Sequence, residues 1–249
     1  MPDQVLVADD GAVRTIRLNR PEKKNALTQP MYEVMTRALA DAAASDAIRA
    51  IVLAGSPGAF CAGADIAEFL ESAQTGGLRP KTVAFLHALA RNPKPLVAAV
   101  GGLAVGIGTT LLLHCDYVVA ADSATFATPF SRLGLIPEAG SSLLAPLRMG
   151  HARAFAMLAM GRPLTAAAAK DAGIVNEVVD AASVDETAMK AAQDIAALPP
   201  GAIAVSRQLI RGDPDGVIAR IDTEVELFRK RLQSDEARAA FETFLSRKK

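Results

Sequence analysis

At 249 residues with 51% apolar side chains, the chain can fill one large core, with or without a helical appendage. It has no Trp and few aromatics, so Ala, Leu and Val must do most of the packing. Lys plus Arg and Asp plus Glu balance at 27 each, which removes the basic field a nucleic-acid binder needs. The apolar stretch 96–113 is broken by Gly101, Gly102, Gly106 and Gly108 and reads as core rather than a membrane span. Cys61 and Cys115 make no disulfide framework, and His87, His114 and His151 are scattered without metal-ligand spacing. The charged start MPDQVLVADDG lacks a signal-peptide pattern, and Ser246-Arg247-Lys248-Lys249 is not a Ser-Lys-Leu address. A soluble, cytoplasmic, metal-independent protein is expected.

In chain order, residues 4–8 and 12–19 are short β-rich runs around Asp9-Asp10-Gly11, a hairpin signal. A basic loop follows at Arg20 to Leu27. Thr28 then stands where it can cap a helix that has Pro30 in its first turn and runs to about Ala44. Residues 49–54 read as a buried strand ended by Gly55-Ser56-Pro57-Gly58. The small residues of Ala59 to Ile66 form a loop that a ligand could approach closely. Residues 67–80 read as a helix start and a mobile loop. A helix at 81–90 stops at Asn92-Pro93-Lys94-Pro95, before a strand at 96–100. Further strands are expected at 116–121, 125–127 and about 176–179. A helix should open at Pro137-Glu138 and end at Gly150. From residue 181 onward the pattern is helical, with Val217, Ile221, Val225 and Phe228 on one face for core or subunit packing.

The stretch Ala98 to Asp116 organises this pattern. It reads as strand, glycine-rich turn through Gly101-Gly102 and Gly106-Ile107-Gly108, then buried helix. A helix entered through glycines presents free N–H groups and a positive dipole end. Such a site suits an anion, or an oxygen that becomes negative during a reaction; a plain tight turn is the alternative.

With these residues laid out, the chain resembles the crotonase (enoyl-CoA hydratase/isomerase) superfamily over nearly its whole length. The matching pieces are Leu18 to Pro21, Asn25-Ala26-Leu27, Phe60 to Ile66, the glycine turn, Cys115-Asp116, Gly161 to Leu164 and Ala172 to Val175. The resemblance implies an α/β spiral of ββα units in residues 1–180. It also implies a C-terminal helical trimerisation or lid region in 181–249, and a homotrimer or dimer of trimers. An acyl-CoA thioester would be the substrate, with no separate cofactor. By position, the backbone N–H groups that hold the thioester oxygen fall on Ala64 and Ile107. CoA contacts fall on Lys23, Lys24, Ala26, Ala62, Asp65 and Ile66, with Phe241 and Lys248 reaching from the C-terminal helix of the same or a neighbouring subunit.

Hydratases of the family use two glutamates, and the corresponding positions here hold Thr110 and Phe130. Neither can act as a carboxylate. Glu138, within Pro137-Glu138-Ala139-Gly140-Ser141-Ser142, resembles instead the catalytic base of the peroxisomal-type Δ3,Δ2-enoyl-CoA isomerase branch. Phe130 and Leu135 would form an apolar wall that raises its pKa and excludes water. In the plainer reading Glu138 complements a helix dipole. Asp65 reads as a loop cap, Asp116 as a strand-start acceptor, His114 as a helix-end residue and Cys115 as a small buried hydrophobe. Two alternatives stand beside isomerisation: another crotonase reaction such as hydration with an atypical base, and a non-catalytic acyl-CoA- or RNA-binding homologue.

Overall fold

The structure, a computed structural model, describes residues 3–56, 58–65, 67, 68 and 78–246. An N-terminal hairpin starts the larger of two sheets. In it β1 (Val5–Asp10) pairs antiparallel with β2 (Val13–Leu18), from Val5 opposite Leu18 to Asp10 opposite Val13. Gly11 turns the chain at φ 56°, a left-handed conformation that glycine adopts without strain. Beyond β2 the sheet runs parallel through β3 (Ala50–Ala54), β5 (Leu96–Val100), β7 (Tyr117–Ala121) and β10 (Glu177–Val179). β3 and β5 are buried at every residue, which fits their continuous apolar sequences and coverage on both faces.

After β3, β5 and β7 the chain adds in turn β4 (Gly58–Cys61), β6 (Gly102–Val105) and β8 (Thr125–Ala127) to a second parallel sheet. The two-residue β9 (Leu164–Thr165) closes that sheet antiparallel on β8. Each pair thus gives one strand to each sheet, and the chain spirals: an α/β crotonase fold. β4 and β6 lie where the sequence reads as a small-residue loop and a glycine turn. Glycines weaken the strand pattern there because the backbones must come close. A Cβ at Gly102 would lie 2.5 Å from the Gly58 carbonyl oxygen.

Helices cover these sheets. α1 (Gln29–Ala44) buries Met31, Tyr32, Met35, Ala38, Leu39 and Ala42, one face of a 3.6-residue repeat. α2 (Pro80–Arg91) packs on α1, with the Tyr32 and Phe85 ring centroids 5.5 Å apart. Thr28 occupies the cap position of α1, but its hydroxyl donates to Gln4 Oε1 at 3.0 Å. The free N–H of Gln29 is instead taken by Glu68 Oε2 at 2.7 Å, a partner brought by the fold. The helix expected after the glycine turn lasts one turn as α3 (Ile107–Thr110). It tightens to a 3-10 turn, Leu111–His114, as the chain turns back toward β7.

α4 (Ser141–Ala154) begins three residues after Glu138 rather than at it, because Ala139 and Gly140 are both left-handed. Gly150, at φ 76° and ψ 160°, interrupts the helical backbone as the sequence reading expects, so α4 is two helical segments joined at a kink. α5 (Ala166–Asp171) is capped by the Thr165 hydroxyl oxygen, which accepts from Ala168 N. α6 (Val184–Ala197), although beyond residue 180, packs across β2, β3, β5 and β7. α7 (Pro200–Arg211), α8 (Pro214–Leu232) and α9 (Asp235–Ser246) complete the chain; α8 packs on α2 and α4. No helix among the described residues is long and apolar enough to cross a membrane.

A close approach joins α3 to β4: a Cβ at Gly108 would lie 2.5 Å from Cys61 O and 2.8 Å from Cys61 Cβ. At Gly101 a Cβ meets nothing within 4 Å, and no left-handed backbone is required there. Gly108→Ala is therefore expected to lower unfolding stability by about 1–3 kcal/mol through overpacking. Gly101→Ala should stay close to wild type; denaturant titration of the pair checks both.

Candidate active site

Two turns press together to make one wall of the site. β6 ends at Val105, and Gly106 adopts φ 54° and ψ −121°, open to glycine and strained for other residues. Gly106 N donates to Ala127 O at 2.8 Å, and the Thr109 hydroxyl donates to Ala104 O at 2.8 Å; these bonds tie the turn to the second sheet. Gly106 O accepts from Thr109 N and Thr110 N. The next peptide N–H, that of Ile107, has no acceptor among the described residues.

The facing turn follows β4. Gly63 lies at φ 92°, and a Cβ on it would sit 3.0 Å from Val105 O. Leu27 N donates to Gly63 O and Asp65 N to Leu27 O, each at 2.8 Å, which fixes the peptide of Ala64 between them. The Ala64 N–H also lacks an acceptor among the described residues. Asn25, fully buried at φ 57°, braces this turn from below. Its Nδ2 donates to Ala59 O and Phe60 O, and its Oδ1 accepts from Arg20 N and Ser56 Oγ.

Asp65 caps the next turn, accepting from Ala67 N at 3.0 Å, and pairs with Arg20 at 2.7 Å. Burial alone would raise its pKa. The Arg20 and backbone hydrogen bonds outweigh that and hold the carboxyl below its usual range. Asp65 is thus committed as an anion to its own loop.

Both turns border a cavity of about 210 Å³, together with Leu27, Gln29, Tyr32, Phe130, Leu135, Glu138, Phe228 and Phe241. Glu138 is 6% exposed. Burial pushes its pKa up to about 8, helped by the negative charge of Glu224 and opposed by a hydrogen bond from Thr110. The Thr110 Oγ1 to Glu138 Oε1 distance is 2.6 Å. A threonine in place of a carboxylate therefore becomes the partner of the acid. Glu138 O accepts from the Ser141 hydroxyl at 2.5 Å, so Glu138 is held at both ends.

The remaining candidates divide clearly. Ala62 lines the cavity with Ala64, Asp65, Ile107, Phe130, Leu135 and Phe241. Lys23 and Lys24 are exposed on the loop before α1, and neither they nor half-buried Ala26 borders the cavity. The loop still touches its rim, since Lys24 O accepts from Ala62 N at 2.9 Å. Ile66 and Lys248 lie outside the described residues. Asp116 Oδ2 accepts from Leu96 N at 2.8 Å, the strand-start role read from the sequence, and also from Arg207 Nε at 2.7 Å. Cys115 is buried, with its thiol pushed up to about 12.

His114 Nε2 lies 2.7 Å from Ala139 O. A carbonyl only accepts, so Nε2 carries the proton; burial, aided by Arg211 and Arg148, keeps the ring neutral with a pKa down to about 4. No group of three or more His, Cys, Asp or Glu able to hold a metal occurs among the described residues.

The helix-dipole role that is the plainer alternative for Glu138 falls to Glu224, a residue the sequence reading passed over. Glu224 on α8 accepts from Gly140 N at 2.6 Å and Ser142 N at 3.0 Å, at the start of α4. A signal was available: a carboxylate stands inside the apolar stripe of Val217, Ile221, Val225 and Phe228. Phe228 reads from the sequence as a packing residue and Tyr32 is not singled out there, yet both line the cavity.

The Glu138 carboxyl links the site to stability. Its folded pKa of about 8 lies above the ordinary 4.5, so between those values the folded chain binds more protons than the unfolded one. Stability from this group is full below about pH 4.5 and is lost as pH rises through 8. Glu138→Gln should therefore be more stable than wild type at pH 9, by on the order of a few kcal/mol. The gain should shrink toward pH 5, as thermal unfolding across that range will show.

Comparison with known proteins agrees with this architecture. The family model described as enoyl-CoA hydratase/isomerase matches residues 9–249. The rat protein named enoyl-CoA delta isomerase 2 is 37% identical over 252 residues, covering 98% of this chain; the chain spans 64% of that relative's length. The 1,2-epoxyphenylacetyl-CoA isomerase of Escherichia coli K12 is 32% identical over 257 residues, covering 100% of this chain and 97% of its own. Among solved structures, OdaA of Pseudomonas aeruginosa superposes with a TM-score of 0.93 at 40% identity, covering 98% of this chain and 99% of its own.

Proposed function

The chain belongs to the enoyl-CoA hydratase/isomerase family, and from that premise we propose that it moves the double bond of a 3-enoyl-CoA into conjugation, giving the 2-trans-enoyl-CoA. The observation that carries this reading is the state of Glu138. It is a buried carboxyl lining the cavity, hydrogen-bonded to Thr110 and held near neutral pKa, while Asp65 in the same lining is tied up as an anion with Arg20. The enoyl-CoA delta isomerase name of the rat relative supports it.

In the proposed mechanism the thioester oxygen accepts from Ala64 N–H and Ile107 N–H. The Glu138 carboxylate takes a proton from C2. The C–H electron pair forms the C1–C2 double bond, and the carbonyl pair moves to oxygen as the dienolate. Two preorganised donors stabilise that charge, and losing one costs about 3–4 kcal/mol in comparable oxyanion holes. Protonated Glu138 then gives the proton to C4. The C3–C4 pair takes that proton, C2–C3 becomes double and the carbonyl re-forms, so atoms and electrons balance with no water consumed.

The pKa near 8 serves both halves of this transfer. It makes the carboxylate a stronger base than an ordinary glutamate while leaving the acid able to return the proton. The apolar lining of Leu27, Ile107, Phe130, Leu135, Phe228 and Phe241 keeps water from the dienolate. Hydration is disfavoured on specific ground: buried Thr110 and Phe130 stand where the hydratase pattern has its two carboxylates. The same family reading carries a homotrimer or dimer of trimers. α7 supports that extension, since it buries none of its residues in the protomer and exposes Val205, Leu209 and Ile210.

The test is conversion of 3-hexenoyl-CoA, followed by absorbance of the conjugated product. Wild type is expected to convert it, and Glu138→Gln to be about 100- to 10,000-fold slower; equal rates would remove Glu138 from the chemistry. With crotonyl-CoA the conjugated absorbance should persist, and its rapid loss would favour hydration.

Because the base must be ionised, kcat/KM should rise with pH through about 8 and level off above it. Thr110 donates to the ionised form, so Thr110→Val should move that limb to higher pH. Coincident pH profiles for the two proteins would contradict this role of the hydroxyl.

A further inference from the structure

We propose that Glu224 is a positioning residue for Glu138, through which helix α8 sets the geometry of the active site. This inference rests on the reading of Glu138 as the base. Glu138 stands on a segment that carries two consecutive left-handed residues, Ala139 at φ 62° and Gly140 at φ 69°. For an alanine this conformation is costly and persists only where its surroundings over-determine it.

Those surroundings are specific. His114 Nε2 donates to Ala139 O, the Ser141 hydroxyl donates to Glu138 O, and Glu224 spans Gly140 N with Oε2 and Ser142 N with Oε1. Both oxygens of Glu224 are engaged by donors, the pattern of a carboxylate anion. Glu224 is 3% exposed, so its anchor is not shared with solvent. A Cβ at Gly140 would lie 3.0 Å from Val217 Cγ1, so α8 also sets how near the segment can approach. On the other side of the same segment, Arg231 Nε donates to Gly134 O at 3.0 Å, and a Cβ at Gly134 would meet Ala237 N at 2.6 Å. The stretch from Phe130 to Ser142 is thus clasped by the two last helices.

Glu224 also acts on Glu138 through space. The groups that face or couple to Glu138 are Thr110 from α3, Tyr32 from α1, Cys61 from β4 and Glu224 from α8. Of these, Glu224 is the one whose charge raises the base, while Thr110 lowers it. Burial raises the pKa of Glu224 itself; Ser142, Gly140 and the nearby Arg220 oppose that rise. Arg220 reaches the Ser142 hydroxyl at 3.2 Å.

The decisive variant is Glu224→Gln in the full chain. An amide places an NH2 group opposite one of two N–H donors and removes the charge. With folding verified by thermal unfolding, kcat on 3-hexenoyl-CoA is expected to fall about tenfold or more while KM changes less than about threefold. The second readout needs no turnover: pH titration of the Glu138 carboxyl by NMR on protein labelled with 13C-carboxyl glutamate, with the resonance identified by its loss in Glu138→Gln. Its midpoint is expected to move down in Glu224→Gln. Glu224→Asp, which keeps the charge and both oxygens but withdraws them by one methylene, should fold and lie between the two in both readouts.

An unmoved Glu138 midpoint in Glu224→Gln, or wild-type values in both readouts for Glu224→Asp should the Gln variant not fold, overturns the inference. Failure of the base assignment is separate. It would appear as equal turnover by wild type and Glu138→Gln, with the NMR titration still reporting whether the two carboxyls are coupled.

Discussion

The site depends on how closely two turns of backbone are pressed together. Gly102 lies on Gly58 and Gly108 on Cys61 at distances where a side chain would collide, and Gly63 packs tightly on Val105. Parallel pairing of β4 with β6 brings the turns that follow these strands to the same end of the smaller sheet. There the peptides of Ala64 and Ile107 border one cavity with N–H groups uncommitted among the described residues. Donors fixed in this way need no reorganisation when charge develops in front of them, which is the source of their value in catalysis. The glycines are the structural expense of bringing the two donors together.

The second constraint is electrostatic. A carboxyl sealed among apolar side chains resists ionisation, and Glu138 adds the negative charge of Glu224 to that resistance. The Thr110 hydroxyl works the other way, since it donates to the ionised form and orients one oxygen. The balance leaves a carboxyl whose pKa is raised to about 8. Asp65 in the same cavity shows the opposite outcome. Arg20 and two backbone donors hold it as an anion, so it shapes the turn carrying Ala64. Two carboxyls in one lining therefore differ in chemistry because their partners differ.

The last helices are joined to this chemistry. Phe228 and Phe241 close the apolar side of the cavity, Arg231 holds the Gly134 carbonyl, and Glu224 supplies the anion at the start of α4. The sequence division near residue 180 separates alternating strands and helices from helices alone. In space the helices past it complete both the covering of the larger sheet and the surroundings of Glu138.

Much of this was legible in residues 1–249 because the signals are local. Buried parallel strands are continuous apolar runs, as at 96–100. α1 shows its repeat from Met31 to Ala42, the hairpin has its Asp-Gly turn, and Glu138 is singled out by the resemblance of Pro137 to Ser142 to the isomerase branch, with Thr110 and Phe130 at the family's two glutamate positions. The family resemblance rests on such local segments in order. Tertiary structure decided what depends on partners distant in sequence. Glu68, not Thr28, satisfies the start of α1; Glu224, not Glu138, satisfies the start of α4; and Thr110 becomes the hydroxyl that holds the Glu138 carboxyl. β4 and β6 were hidden because close backbone packing requires the small residues that erase a strand pattern. A hydrogen bond across 28 or 84 residues leaves no periodicity in the chain, because only the folded backbone brings its donor and acceptor together.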